Sequence, residues 1–333
     1  MIITFMRSSM LGTYKWCPHK AFGEYVLGIK GPGNKKAEKG NIIHKVMECL
    51  AHIKKCQQDG KTQFFSDGIG NTTLEEATIE RLLLLAYEYY KSQSIHSWTE
   101  KDFKECKKWV DKALEFSGGM FDPRNQNILE AEKIFDIEIN TDWSSYEYRL
   151  PDGTEIKGKL RIKGTIDLIV NDSDSVLEIV DYKTGKKLDW ATEKNKDFTS
   201  LCKDEQLLLY YYAAKNLFPE KEIIITIFYI NDGGPYTIPM DENSYKAAEF
   251  MIKNRFNEIK SVLIPRRDIT WKCNKLCQLG QTIAPNTCIT MCEFLHREIL
   301  KKGIGKVSIE HKVPGFDPTS YGSGGGRNND KNN

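Results

Sequence analysis

The sequence predicts an α/β fold, and three observations lead to this prediction. Apolar residues recur at intervals of three and four between residues 74 and 120, as they do along one face of an α-helix. From about residue 127 the chain instead carries segments rich in β-branched residues, some of which alternate with polar ones. A helical segment at about 203–217 then separates two such β segments. With 333 residues, of which 40% are hydrophobic and 28% charged, the chain can bury a substantial core.

The first third of the chain is predicted to be helical. Residues 8–28 form the first helix, with two serines available as N-caps, and a Gly- and Lys-rich loop follows. A second helix covers about 38–55. We interpret the helical block that comes next, at about 60–125, as an insertion rather than an independent domain.

Strands and helices alternate in the remainder of the chain. Residues 315–333 are low in complexity and are expected to form a flexible tail, so that one folded domain covers 1–314. The predicted strands cover 131–139, 157–170, 175–184, 221–230 and 235–240, and the predicted helices cover 203–217, 242–263 and about 292–301.

Charge and hydropathy exclude few functions. A formal net charge of +2 neither demands nor excludes a nucleic-acid partner, because a basic groove can occur within a neutral total. Lysines cluster before residue 40 and again at Lys183, Lys186 and Lys187, where a solvated charged face is the favoured interpretation. The start of the chain lacks the pattern of a signal peptide, and no apolar run approaches the ~20 residues of a membrane span. We therefore expect a cytoplasmic protein without membrane contact.

One β-hairpin brings together residues that suit catalysis. The polar run at 171–175 has the composition of a turn, and antiparallel pairing around it places Asp167 opposite residues 180–181. Side chains in a strand repeat with a period of two, so Asp181 and Lys183 project from the same face. The hairpin thus predicts two carboxylates and one lysine at neighbouring strand ends.

That combination is typical of a metal site. Two adjacent carboxylates repel each other unless a divalent cation lies between them. Mg²⁺ suits the position because it prefers a few carboxylate oxygens together with water and phosphate. A neighbouring lysine can hold the attacking water or stabilise the charge that develops on a phosphate.

Four ordered motifs resemble those of the RecB-like nucleases of the PD-(D/E)XK superfamily. The family writes them GxxxH, GxxD, DYKTG and QxxxY, and their order is preserved in this chain. The matches are Gly40 to His44, Gly164 to Asp167, Asp181 to Gly185, and Gln206 to Tyr210.

The resemblance implies a restriction-endonuclease-like fold, in which a mixed central sheet is flanked by helices and a helical insertion separates the first two motifs. It implies a DNA nuclease, more specifically an exonuclease, that uses Mg²⁺ or Mn²⁺ and acts on DNA with a free end or a single strand. Recombination, repair, and viral or CRISPR DNA processing are the pathways that it suggests. The sequence lacks a GxxxxGK[ST] loop, so unwinding would need a helicase or recombination partner.

The resemblance also implies roles for individual residues. Gln206 and Tyr210 share one helix face and are expected to hydrogen-bond the catalytic loop or a DNA phosphate. Some relatives add an acidic residue near Glu130 and Glu132, but the sequence does not choose between these two. The expected catalytic residues are Asp167, Asp181, Lys183, Gln206 and Tyr210, and the expected metal ligands are His44, Asp167 and Asp181.

Four of the nine cysteines lie close together near the C-terminus. They form two CxxxC pairs within residues 271–301, and either zinc or an iron–sulfur cluster is compatible with them. The element Cys17-Pro18 resembles that of RecB-like nucleases with a 4Fe–4S cluster, including AddB and CRISPR-associated relatives. The resemblance implies a cluster on Cys17, Cys273, Cys277 and Cys292, with Cys288 as the spare thiol. Cys292 is favoured over Cys288 because it leads into the predicted terminal helix. The alternative is Zn²⁺ on the four C-terminal cysteines.

Two other functions stay open at this point. The chain could be a DNA-binding subunit of a nuclease complex that keeps the fold but cuts nothing. It could instead be a zinc-ribbon module that binds nucleic acid and in which the DYK triplet is coincidental. The intact set of Asp167, Asp181 and Lys183 argues against the first, and the ordered motifs argue against the second.

Overall fold

A computed structural model describes residues 1–26, 34–149, 155–189 and 194–262. The predicted cysteine-rich segment, the terminal helix and the predicted tail lie outside these residues. The same holds for the predicted cluster ligands Cys273, Cys277 and Cys292 and for Cys288. None of the helices in the described ranges is both long enough and apolar enough to span a membrane.

The helices and strands follow the predicted alternation. A π-helical turn, Phe22–Val26, follows the second helix. The helices are α1 (Ser8–Trp16), α2 (Pro18–Ala21), α3 (Lys35–Gln58), α4 (Ile79–Gln93), α5 (Glu100–Glu115), α6 (Phe198–Leu201), α7 (Glu205–Leu217) and α8 (Glu242–Ser261). The strands are β1 (Phe5–Met6), β2 (Gln63–Ser66), β3 (Gly70–Thr73), β4 (Ile128–Glu138), β5 (Ser145–Arg149), β6 (Glu155–Lys159), β7 (Arg161–Asn171), β8 (Val176–Lys183), β9 (Leu188–Asp189), β10 (Lys194–Asn195), β11 (Glu222–Tyr229) and β12 (Gly234–Met240).

The described chain divides into two compact units, and the larger one contains Gly33–Phe135 and Thr165–Tyr245. Its sheet has the order β7-β8-β11-β12, and β4 also pairs with β7. β7 and β8 form an antiparallel hairpin, whereas β8 and β11 are parallel and are connected through α7. β11 and β12 form a second antiparallel hairpin. The sheet is therefore mixed and helices pack against it, which confirms the predicted fold class.

Helix α3 packs its apolar residues into the core beside this sheet. The side chain of Asn34 caps its first turn by accepting a hydrogen bond of 2.8 Å from the Ala37 amide. Apolar residues of α3, α4 and α5 share one buried core with Leu168 and Val180 of the hairpin. Each such side chain stabilises the fold by roughly 1.5–3 kcal/mol through burial. α4 and α5 lie within the segment that was predicted to be a helical insertion.

The other unit contains the described residues of Met1–Pro32 and Asp136–Gly164 together with residues 246–262. Its short strand β1 pairs in parallel with the start of β7, and β5 and β6 form an antiparallel hairpin. The Tyr148 hydroxyl donates a hydrogen bond of 2.8 Å to the Ile3 carbonyl, and the N-terminal ammonium donates one of 2.9 Å to the Ile259 carbonyl. These contacts hold the N-terminal segment against β5 and α8.

Three predicted elements differ from the structure. The single strand expected at 157–170 is two strands separated at Leu160, because β6 pairs with β5 whereas β7 pairs with β8 and β1. The helix expected at 8–28 ends at Trp16 and restarts at Pro18, which favours the first turn of a new helix. The predicted insertion also contains a hairpin formed by β2 and β3. These strands are only four residues long and were not recognised in the sequence.

Candidate active site

The β7–β8 hairpin positions the two predicted carboxylates. Its register pairs Leu168 with Val180, so that Asp167 and Asp181 are the next residues along the two strands. The Asp167 carboxylate also accepts a hydrogen bond of 3.1 Å from the amide of Tyr182. The prediction that Asp167 lies opposite residues 180–181 therefore agrees with the register of the hairpin.

Asp181 and Lys183 form a close ion pair at the end of β8. Their side chains lie on the same face of the strand, with the Lys183 Nζ 2.9 Å from Oδ1 and 2.7 Å from Oδ2 of Asp181. Asp181 is only 1% exposed, and its Oδ2 accepts no hydrogen bond of proper geometry within the described residues. Oδ2 therefore faces the Lys183 ammonium and has a lone pair available for a further ligand.

Helix α3 brings His44 to the hairpin. The His44 Nδ1 lies 3.2 Å from the Asp167 Oδ2, although the two residues are far apart in the sequence. Gly40 lies one turn earlier, where an added Cβ would come within 2.7 Å of the Thr184 hydroxyl oxygen. A glycine at this position therefore lets the helix approach the segment that follows Lys183.

Helix α7 supplies the other two predicted residues. Its N-cap, Asp204, accepts hydrogen bonds from the amides of Gln206 and Leu207, which fixes the start of the helix. The Gln206 side-chain amide then donates one hydrogen bond of 3.2 Å to Asp181 and another of 2.8 Å to the Tyr210 hydroxyl. Gln206 thus connects α7 to the end of β8, and the functional role expected of Gln206 and Tyr210 stays a prediction.

Mutual charge and burial shift the pKa values in this cluster. Burial opposes a charge on His44, but the Asp167 carboxylate outweighs burial and raises the pKa of His44. The pKa of Asp167 is lowered, since His44 and Lys183 outweigh the effect of burial. Burial raises the pKa of Asp181, and Asp167 adds to this effect while Lys183 opposes it. The carboxylate of Asp181 in turn outweighs burial at Lys183 and raises the pKa of that ammonium.

Two acidic residues beside this cluster were not assigned from the sequence. Glu48 and Glu132 line a small cleft together with His44 and Asp167. Burial, followed by the charges of Asp167 and Glu48, raises the pKa of Glu132 to about 7. Its backbone is also left-handed, with a φ of 47°, which is uncommon for a residue other than glycine. Glu48 follows His44 by four residues on α3, so helical spacing was the signal that could have found it.

The residues of the hairpin suit a divalent cation but are not arranged around one. Among the described residues, no three His, Cys, Asp or Glu side chains converge as ligands. His44 and Lys183 instead bind the two carboxylates directly. The buried Oδ2 of Asp181 and the hard oxygen donors of the two aspartates nevertheless fit Mg²⁺ or Mn²⁺. Asp167, Asp181 and the imidazole of His44 are the residues that would hold the ion.

Cys17 is the one predicted cluster ligand among the described residues. It follows α1 and is half-buried, and its Sγ accepts a hydrogen bond of 3.5 Å from the Lys20 amide. The assignment of Cys17 to a cluster stays a prediction, because its proposed partners lie outside the described residues.

The comparison with known families agrees with the geometry of the hairpin. The sequence model of the PD-(D/E)XK nuclease superfamily matches residues 8–281, which is more than two thirds of the chain. This range includes the four motifs and both strands of the hairpin. No curated protein sequence matches the chain.

Proposed function

Because this chain belongs to the PD-(D/E)XK nuclease superfamily, we propose that it is a Mg²⁺- or Mn²⁺-dependent deoxyribonuclease. The observation that supports this most directly is the buried Asp181 carboxylate, which contacts both Lys183 and Gln206 and lies on the strand next to Asp167. The proposed reaction is hydrolysis of a phosphodiester bond in DNA. We further propose an exonuclease, whose substrate has a free end or a single strand.

The proposed metal ligands are Asp167, Asp181 and His44. A bound divalent cation supplies acidification of water and neutralisation of charge on the phosphate. Both aspartates already lie side by side in the hairpin, and Oδ2 of Asp181 contacts the Lys183 ammonium but accepts no hydrogen bond from any other described group. The His44 Nδ1 lies 3.2 Å from Asp167, and the imidazole would have to be neutral for one of its nitrogens to bind the ion.

Lys183 is proposed to act on the substrate. Its ammonium is held by Asp181 on the same strand face, where it can donate hydrogen bonds to the scissile phosphate or to the attacking water. Gln206 and Tyr210 are proposed to act as positioning residues. Their hydrogen bonds fix the Asp181 carboxylate, so they affect the phosphate through the strand rather than by direct contact.

The biological setting follows from the resemblance to RecB-like nucleases alone. We propose a role in DNA recombination, repair, or viral or CRISPR DNA processing. Since the sequence carries no GxxxxGK[ST] loop, a separate helicase or recombination protein would supply the unwound strand.

A 4Fe–4S cluster on Cys17, Cys273, Cys277 and Cys292 is a separate proposal, supported by the sequence pattern. A protein purified without air should then be brown, with broad absorption near ~400 nm from thiolate-ligated iron. The variant Cys17→Ala should lose this colour. A colourless protein that contains zinc and does not change with Cys17→Ala would instead establish the zinc site that includes Cys288.

A nuclease assay with matched variants tests the proposed function. End-labelled linear DNA is incubated with Mg²⁺, Mn²⁺, Ca²⁺ or EDTA, and cleavage is expected with the first two only. Lys183→Ala should lower the rate by on the order of 10²-fold or more, because it removes a donor to the developing charge. The matched control is Lys108→Ala, which changes an exposed lysine of α5. Cleavage by Lys183→Ala at the wild-type rate, or full activity in excess EDTA, would refute the proposal.

The same assay separates an exonuclease from an endonuclease. Closed circular single-stranded DNA has no end, so the proposed exonuclease should leave it intact while it degrades the linear form of the same sequence. Cleavage of both forms at equal rates would contradict the exonuclease proposal without affecting the nuclease proposal.

A further inference from the structure

Next to the candidate active site lies a segment with exposed lysines and an exposed aromatic ring. It begins directly after the catalytic strand β8 and ends at α7, which carries Gln206. We name it the basic–aromatic surface and define it by Lys186, Lys194, Phe198 and Lys203, all of which are exposed. It does not include the segment 190–193, which lies outside the described residues.

Hydrogen bonds fold this segment back on itself. Residues of β9 and β10 pair in antiparallel fashion, and the Lys196 amide donates a hydrogen bond of 3.0 Å to the Lys187 carbonyl. The Asp197 side chain caps α6 by accepting a bond of 2.7 Å from the Ser200 amide. The Lys196 ammonium pairs with Asp204, the same residue that caps α7. The surface is therefore built from short ordered elements that are connected to the start of α7.

The three lysines of this surface are exposed. No carboxylate in the described part of the chain pairs with Lys186, Lys194 or Lys203, whereas neighbouring Lys196 has Asp204 as its partner. An exposed ammonium without an acidic partner is available to a phosphate at little cost in lost contacts. Residues 186–203 contain five lysines and three acidic residues, so this segment has a net positive charge that complements a nucleic-acid backbone.

Phe198 adds a flat apolar face to this basic segment. It is 51% exposed although it opens a helix whose last residue, Leu201, is fully buried. A single exposed phenylalanine requires no explanation, but one in the same short segment as several exposed lysines matches the pattern of single-strand binding sites. In such sites, lysines contact successive phosphates and an aromatic ring stacks on a base.

Single-stranded DNA fits this surface better than a duplex does. A stacked base must be free of its neighbours on one side, and in a duplex the bases are enclosed within the helix. The backbone path from Phe198 to Gln206 includes one helical turn and spans at most about 20 Å. A strand of a few nucleotides can therefore extend from the Phe198 ring to the hairpin.

We propose that the basic–aromatic surface binds the single-stranded DNA next to the hydrolytic site, with one base stacked on Phe198 and phosphates on the three lysines. The proposal rests on the proposed nuclease function, because it names the form of DNA that the site receives. It assigns to Phe198 and the lysines a role in substrate binding that the four motifs do not include.

Fluorescence anisotropy tests the stacking contact. A fluorescein-labelled oligothymidine of about 20 nucleotides and a hairpin duplex are titrated with full-length protein in EDTA, so that nothing is cut. Phe198→Ala should raise the Kd for the oligothymidine about tenfold, and Phe198→Tyr, which keeps the ring, should change it less than about twofold. The matched control is Phe65→Ala, because Phe65 is 60% exposed on β2 and lies outside the segment that carries the proposed surface.

The salt dependence of binding tests the lysines. In single strands each phosphate contact contributes roughly 0.7 to the slope of log K against log salt concentration. Replacing Lys186, Lys194 and Lys203 together by Gln should therefore lower that slope by about 2. The control triple variant replaces three other exposed lysines by Gln and should keep the slope of the wild type. Its residues are Lys101, Lys108 and Lys253.

Three results would overturn the proposal. The first is an unchanged Kd in Phe198→Ala, and the second is an equal loss of affinity in Phe65→Ala. The third is a duplex that binds more tightly than the oligothymidine and whose affinity is equally weakened by the lysine changes. Wild-type protein that binds the oligothymidine through these residues but cuts no DNA with Mg²⁺ or Mn²⁺ would contradict the nuclease function and leave the binding surface supported.

Discussion

Replacement of Gly40 by alanine tests whether the close approach of α3 to the catalytic strand matters for activity. The new methyl group would lie 2.7 Å from the Thr184 Oγ1, whereas ordinary contacts of a Cβ begin near 3.4 Å. The two elements must therefore separate by several tenths of an ångström, or Thr184 must rotate. Thr184 directly follows Lys183, so the displacement reaches the proposed catalytic residues.

The expected effect is large for activity and small for stability. A misplacement on the order of 1 Å near reacting groups can lower a rate by about 10²-fold, so we expect a loss of about ten- to a hundredfold. Overpacking costs about 1–3 kcal/mol, but alanine is favoured over glycine in a helix by about 1 kcal/mol. The net loss in the free energy of unfolding should thus stay at or below about 2 kcal/mol.

The assay combines cleavage of end-labelled DNA with urea unfolding, and it includes a second substitution. Thr184→Ala removes the Oγ1 that the new methyl would meet, while the Thr184 Cβ already lies at an ordinary distance of 3.9 Å. The double variant should therefore recover most of the activity that Gly40→Ala loses, relative to Thr184→Ala alone. Gly12→Ala in α1 is the control, since nothing lies within 4 Å of its added Cβ.

Two results would refute this reasoning. Wild-type activity of Gly40→Ala would mean that Thr184 gives way without moving Lys183. A double variant as inactive as Gly40→Ala would mean that the loss has a cause other than the contact with Thr184.

Two further predictions concern the positioning of Asp181 and the stability of the helical insertion. Gln206→Ala should lower kcat about tenfold or more with little change in KM, because it removes a hydrogen bond to the buried Asp181. Tyr210→Phe should have the smaller effect on kcat, because its hydroxyl bonds Gln206 and not Asp181. Equal effects of the two variants in steady-state kinetics would contradict this prediction. Asp102→Asn should reduce the free energy of unfolding at pH 7 by about 2–3 kcal/mol, because the carboxylate of α5 binds the ammonium groups of Lys35 and Lys39 at 2.6 and 2.7 Å. Burial alone would raise the pKa of Asp102, but these hydrogen bonds outweigh burial and lower it. The contribution of Asp102 to stability is therefore complete above its unfolded pKa of about 4. It is lost progressively as the pH falls from there towards the lower folded pKa. Urea unfolding at pH 7 and pH 3 should therefore show a difference between wild type and variant that shrinks at pH 3, and a constant difference would contradict the argument.

The fold class could be predicted from the sequence because helices and strands leave periodic patterns. α3, α7, β8 and β11 lie where apolar spacing or β-branched composition indicated them. The patterns failed where an element is short or where two adjoining strands pair with different partners. The separation at Leu160 is an example, since β6 pairs with β5 whereas β7 pairs with β8.

Some relations between the predicted site residues could likewise be predicted from local spacing. Spacing by two places Asp181 and Lys183 on one strand face. Spacing by four places Gln206 and Tyr210 on one helix face. The sequence also predicted that Asp167 lies beside Asp181, because a hairpin with a short turn has few possible registers.

Only the tertiary structure decided which side chains of different elements meet. It places His44 on Asp167 and Gln206 on Asp181, and it selects Glu132, rather than Glu130, as the acidic residue that lines the cleft with His44. The physical reason is that these contacts depend on how helices pack against the sheet and on a left-handed backbone at Glu132. Packing of this kind is set by the summed burial of many apolar residues, whereas the sequence pattern of one element reports only the face that it buries.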